Sequence, residues 1–142
     1  MHRRRSAVAL AVALGLAGCD PLVRATLDVV PPRPAGPGSP STAAPDSTAA
    51  SGLAALARVA QGFALQSTTP AGADCPRRWQ GRVSTAGAQF FVMCARPLPS
   101  GGLRVVVSEV LTKHWSPRGD SLRRAAADTL ARLGPVTIQA GS

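Results

Sequence analysis

The sequence predicts an α+β fold: a small antiparallel sheet of three to four strands with two helices, in the order α-β-β-β-α-β. Three observations predict it. Leu122, Ala125, Ala126, Thr129, Leu130 and Leu133 recur at the spacing of one helical face, with Arg123, Arg124, Asp128 and Arg132 on the other sides. Between residues 79 and 112, three runs carrying aromatic or β-branched residues are separated by Gly/Ser/Pro-rich turn compositions. The connections between those runs are short, which favours antiparallel neighbours over crossovers.

Taken in chain order, residues 53–65 read as a helix, with Leu53, Leu56, Ala60 and Phe63 on one face and Arg58 and Gln61 elsewhere. Gly62 weakens its last turn. Residues 67–74 (Ser-Thr-Thr-Pro-Ala-Gly-Ala-Asp) read as a loop. The three strands are expected at 79–83, 88–96 and 103–112. In the third, Leu103, Val105, Val107 and Leu111 share a face with Glu109, and Val106 and Val110 lie opposite. The last helix runs from 117 or 121 to 133; Ser116-Pro117 and Asp120 each offer a start, and Gly134-Pro135 a stop. Residues 136–139 can return as a fourth strand.

The N-terminus is organised differently. Arg3, Arg4 and Arg5 precede about a dozen apolar residues and a small-residue exit, the pattern of a secretory signal. That run is well below the ~20 residues a permanent membrane helix needs. Leu16-Ala17-Gly18-Cys19 closes it. These four residues resemble the lipobox of bacterial lipoproteins, a resemblance confined to about the first 20 residues. It implies cleavage before Cys19, acylation of the Cys19 thiol (palmitate and related chains), and anchoring by two or three acyl chains, where one alone would be marginal. The chain would then sit in the cell envelope, on the outer side of the cytoplasmic membrane or on the outer membrane. Asp20 resembles an inner-membrane retention signal of some Gram-negative lineages.

The expected organisation is thus a signal peptide at 1–18, a tether at 19–52 and a small domain at 53–142. Residues 31–52 contain six prolines and no large apolar side chain, and so read as a disordered linker. Fully extended, its 22 residues would reach about 70 Å. Residues 22–30 are apolar enough for a strand, but their pattern leaves open whether they join the sheet or lie near the membrane surface.

Only 4% of the residues are aromatic, so a domain of this size rests on a few large side chains and gains from a covalent staple. Cys75 and Cys94 are the two cysteines left besides Cys19. In an exported chain they are expected to form a disulfide. A hairpin turning at 84–87 would bring Cys94 opposite the region before Trp79, and closing the loop would stabilise by about 3 kcal/mol. Two cysteines with the single remaining histidine, His114, do not make a tetrahedral metal site, so neither a metal nor a cofactor is expected.

The formal charge of +9 falls to +6 once Arg3, Arg4 and Arg5 are removed with the signal. Arg77, Arg78 and Arg82 near the first strand, with Arg123, Arg124 and Arg132 on the last helix, are candidates for an anion-binding face. Their partners would be envelope polymers or anionic headgroups; nucleic acid is not expected outside the cytoplasm, and no aromatics interleave with these arginines. Arg118-Gly119-Asp120 spells an integrin-binding tripeptide but suits a helix start. His114 and Glu109 are the candidate catalytic groups, although no motif ties them to a nucleophile. The expected function is a membrane-anchored envelope lipoprotein whose non-catalytic domain binds a protein or envelope component. The alternative is a tethered enzyme or small-ligand binder.

Overall fold

Period-2 alternation of apolar and polar side chains builds most of this protein. The structure is a computed structural model describing residues 21–32, 45–69, 72–82 and 90–141. The expected signal segment, Cys19, residues 33–44 of the expected tether and the expected 84–87 turn lie outside the described residues. The elements in chain order are β1 (Leu22–Val29), α1 (Pro45–Gly62), β2 (Gln66–Thr68), β3 (Arg77–Arg82), β4 (Phe90–Pro97), β5 (Leu103–Val110), α2 (Pro117–Ala131) and β6 (Val136–Gly141). They form one six-stranded sheet in the order β2-β3-β4-β5-β1-β6, every pairing antiparallel.

The α+β class holds, but the sheet has six strands rather than three or four. One addition is β2, three residues overlapping the start of the expected loop, paired to β3 from Gln66↔Gln80 to Thr68↔Arg78. Its polar sequence carries no alternation. The other is β1, which is internal: Leu27 faces Val105 of β5 on one side and Ile138 of β6 on the other. A boundary at residue 53 therefore does not separate tether from fold, because Leu22–Val29 lies inside the sheet. Helix α1 likewise begins at Pro45, eight residues before the expected start.

Those eight residues lack large apolar side chains, which gives them the composition of a linker. Small ones serve instead. Thr48 and Ala49 are buried, and at Gly52 an added Cβ would lie 2.8 Å from the Leu103 side chain and 3.4 Å from that of Leu133. A close approach between backbone and neighbouring side chains needs residues of this size. It leaves no mark in a pattern of large apolar residues.

Both helices pack on the same sheet face. Val23, Ala25, Leu27 and Val29 of β1, Phe91, Met93 and Ala95 of β4, and Leu103, Val105 and Val107 of β5 point into it and are buried. Helix α1 contributes Leu56 and Ala60; α2 contributes Leu122, Ala126 and Leu130, the middle of the face read from its spacing. The Ser116 hydroxyl caps α2 by accepting from the Gly119 N–H at 3.0 Å, with Pro117 at the first turn, as the sequence led one to expect. Among the described residues no helix is long and apolar enough to cross a membrane.

Candidate functional site

The second face of the sheet is covered by neither helix. The register sets which side chains share it: Arg78, Cys94, Val106, Thr26 and Gln139 lie in one row across β3, β4, β5, β1 and β6. Arg96, Arg104, Asp28 and Thr137 form the next row. Arg24 sits one row to the other side, opposite Ser108. Four strands thus bring four arginines to one surface, around a shallow depression of about 290 Å³ lined by Arg24, Thr26, Asp74, Cys94, Arg96, Arg104, Val106 and Gln139.

Two of these arginines are engaged. Arg104 grips Asp28 through two hydrogen bonds, Nε to Oδ1 at 2.8 Å and Nη2 to Oδ2 at 2.7 Å, a fork-on-carboxylate geometry between directly opposite residues. The hydrogen bond from Arg104 is the main cause holding the Asp28 carboxyl below its ordinary range, against the opposing effect of burial. Arg96 reaches the exposed Asp74 at 3.2 Å. Arg24 and Arg78 make no ion pair among the described residues. The face therefore has a surplus of positive charge with planar donors pointing outward.

The six arginines singled out in the sequence do not meet. Arg78 is on the uncovered face. Arg77, its neighbour in β3, points to the helix side, where it lines an open groove with Trp79 and α1 residues including Ala54 and Ala57. Arg82 pairs through its backbone with Phe90; its side chain is outside what is described. Arg123 lies over the Trp115 ring at 5.5 Å and contacts Asp120, to which Arg124 also bonds at 2.7 Å. That grip, led by the hydrogen bond from Arg123, lowers the Asp120 carboxyl below its usual range. Arg132 is exposed beside the groove between α1 and α2. The sequence reading missed Arg24, Arg96 and Arg104. The signal was present in residues 22–29, where Val23, Ala25, Leu27 and Val29 alternate with Arg24, Thr26 and Asp28.

Cys75 and Cys94 are joined in a disulfide, with their Cα atoms 5.4 Å apart. The hairpin does place the start of β3 against the end of β4: Arg78 pairs with Cys94, and Cys75 precedes it after a turn closed by the Cys75 N–H bonding to the Gly72 carbonyl at 3.2 Å. The bridge ties the 72–75 loop to the rim of the arginine face.

Glu109 is fully buried among apolar neighbours on the helix side. Its Oε2 accepts the Ser116 backbone N–H at 2.9 Å, and Oε1 has no protein partner. The carboxylate sits under the first turn of α2, so close that a Cβ on Gly119 would fall 2.1 Å from Oε2. An anionic group is favourable at the positive end of a helix. His114, by contrast, is exposed, and its backbone exchanges hydrogen bonds with the Thr112 hydroxyl. Among the described residues no hydrogen bond joins the two. Glu109 organises the β5–α2 connection, and Gly119 in the Arg-Gly-Asp tripeptide is there to make room for it.

Comparison of the sequence with protein-family models finds no matching family, and comparison with curated proteins finds no match either.

Proposed function

We propose that this chain is a lipid-anchored envelope lipoprotein whose small domain binds an anionic envelope component through the uncovered face of its sheet, without catalysing a reaction. The anchoring rests on Leu16-Ala17-Gly18-Cys19 behind a cationic and apolar leader. The binding role rests on one observation: Arg24 and Arg78 have no ion pair among the described residues, on a face where Arg104 and Arg96 already neutralise the nearby carboxylates. Surplus guanidinium groups on a rigid sheet suit planar carboxylates or phosphates, which they can meet with two hydrogen bonds. The alternative enzyme would depend on Glu109 and His114, one enclosed and bonded to the backbone, the other exposed.

Two measurements test the two halves. Mass spectrometry of the membrane fraction should find an acylated N-terminus at Cys19, lost in Cys19→Ala; an unmodified mature terminus sinks the anchoring. Crosslinking of intact envelopes should give an adduct with the wild type that the Arg24→Glu/Arg78→Glu variant loses. An adduct unaffected by that double reversal rules out this face.

A further inference from the structure

The expected 34-residue tether at 19–52 would let the domain range far from its anchor, but the sheet begins almost at the anchor itself. Leu22 is the first residue of β1, and the Pro21 carbonyl already accepts the Thr112 backbone N–H at 3.0 Å. Only Asp20 separates Pro21 from Cys19. Successive Cα atoms are 3.8 Å apart, so Cys19 is within about 8 Å of Pro21 whatever path that residue takes. The linker at 31–44 comes after β1 and joins two elements of one fold, so it gives no reach from the anchor.

We propose that the end of the sheet where β1 starts is seated directly on the bilayer, against anionic phosphate headgroups. This rests on acylation of Cys19. The antiparallel register sets what else lies at that end: Val110 opposite Leu22, Phe90 opposite Val110, and then the connection from β5 into α2. The Arg118 guanidinium bonds the Phe63 carbonyl at 2.9 Å, so the end of α1 is there too. Among the described residues, the exposed charged side chains of this pole are Arg24, Lys113 and Arg118, all basic. The described carboxylates there are withdrawn: Glu109 is enclosed, and Asp120 is held by Arg123 and Arg124. Trp115, Phe63, Phe90 and Leu22 are half-buried around them. Basic groups around an amphipathic tryptophan and apolar side chains match an anionic membrane–water interface. The opposite pole instead carries the paired carboxylates Asp28 and Asp74.

The test uses the lipidated chain, acylation first verified by mass, in phosphatidylcholine/phosphatidylglycerol vesicles with bromine on the upper acyl carbons. Tryptophan fluorescence of the wild type is compared with Trp115→Phe, which keeps only the buried Trp79. The Trp115 signal should be quenched, and a flexible Gly/Ser segment as long as the domain, inserted between Asp20 and Pro21, should restore it in part. Within that extended chain, Lys113→Gln and Arg118→Gln should each lower the ratio of seated to free domain about fivefold, equivalent to about 1 kcal/mol per basic group at an anionic surface. An acylated chain with unquenched Trp115, or with quenching indifferent to both charge changes, overturns the seating and leaves the anchor standing. A chain without acyl groups overturns both.

Discussion

The two faces of this sheet are made by the same strands, residue by alternate residue, yet opposite rules govern them. On the covered face Leu27, Val29, Phe91, Leu103, Val105 and Val107 have no exposed surface, and Glu109, the acidic residue buried there, is held by a backbone N–H at a helix start. On the uncovered face Arg24, Arg78, Arg96 and Arg104 stand among valines, and Asp28 is fully gripped while remaining near solvent. The difference is one of desolvation. A polar group under the helices costs stability wherever it goes unmet, and Glu109 is met at Oε2 by the Ser116 N–H; outside them, water makes unpaired guanidinium groups cheap and keeps them available to a ligand.

The comparison breaks most sharply in the core. Phe91→Ala should cost about 3–5 kcal/mol of unfolding free energy in urea titration, the range for a large buried ring removed from a well-packed core. Cys75→Ser/Cys94→Ser removes the covalent link across 19 residues and should cost about 3 kcal/mol by the same measurement, with the double mutant's loss independent of added reductant. Next comes Glu109→Ala, expected at about 2 kcal/mol because it strands the Ser116 N–H and empties the space the side chain fills beneath α2. If Glu109→Ala is instead neutral, the enclosed carboxylate is not structural and the contrast between the faces fails.

Asp28 should behave as a smaller, pH-dependent case. Its carboxyl is held below the ordinary value in the folded state, so its stabilising contribution is complete above about pH 4 and fades as acid protonates it through the lowered value. The stability gap between wild type and Asp28→Asn, measured at neutral pH and again near pH 2, should therefore narrow on acidification; a constant gap would mean the pair does not titrate with folding. Smallest of all, Arg24→Ala/Arg78→Ala should leave the urea midpoint unchanged while reducing the envelope adduct.

Much of the architecture is legible from the chain. The α2 face is readable because Leu122, Ala126 and Leu130 repeat at helical spacing over more than two turns, and β5 because its β-branched run is long. The Cys75–Cys94 bridge followed from a hairpin of short span. What escaped has local causes. β1 is followed, after Val30, by Pro31-Pro32 and a proline-rich stretch, and its nonlocal partners, far along the chain, give no nearby confirmation. β2 is three polar residues recruited by the edge of β3, and the first half of α1 packs through Ala, Thr and Gly. The arginine face escaped because its members come from four strands and converge only once the register is set; groups on neighbouring sequence positions, such as Arg77 and Arg78, were separated by it.

The position of β1 also has a consequence in time. The residue that closes the Asp28–Arg104 pair emerges 76 positions later, and β6, which flanks β1 on its other side, comes last of all. At typical synthesis rates that wait is on the order of ten seconds, during which β1 has neither neighbour. A chain in which the first strand needs the last one as a wall cannot close its sheet early. Such nonlocal pairing slows folding, and under the proposed export the delay would be useful, because it keeps the chain threadable until β6 has followed.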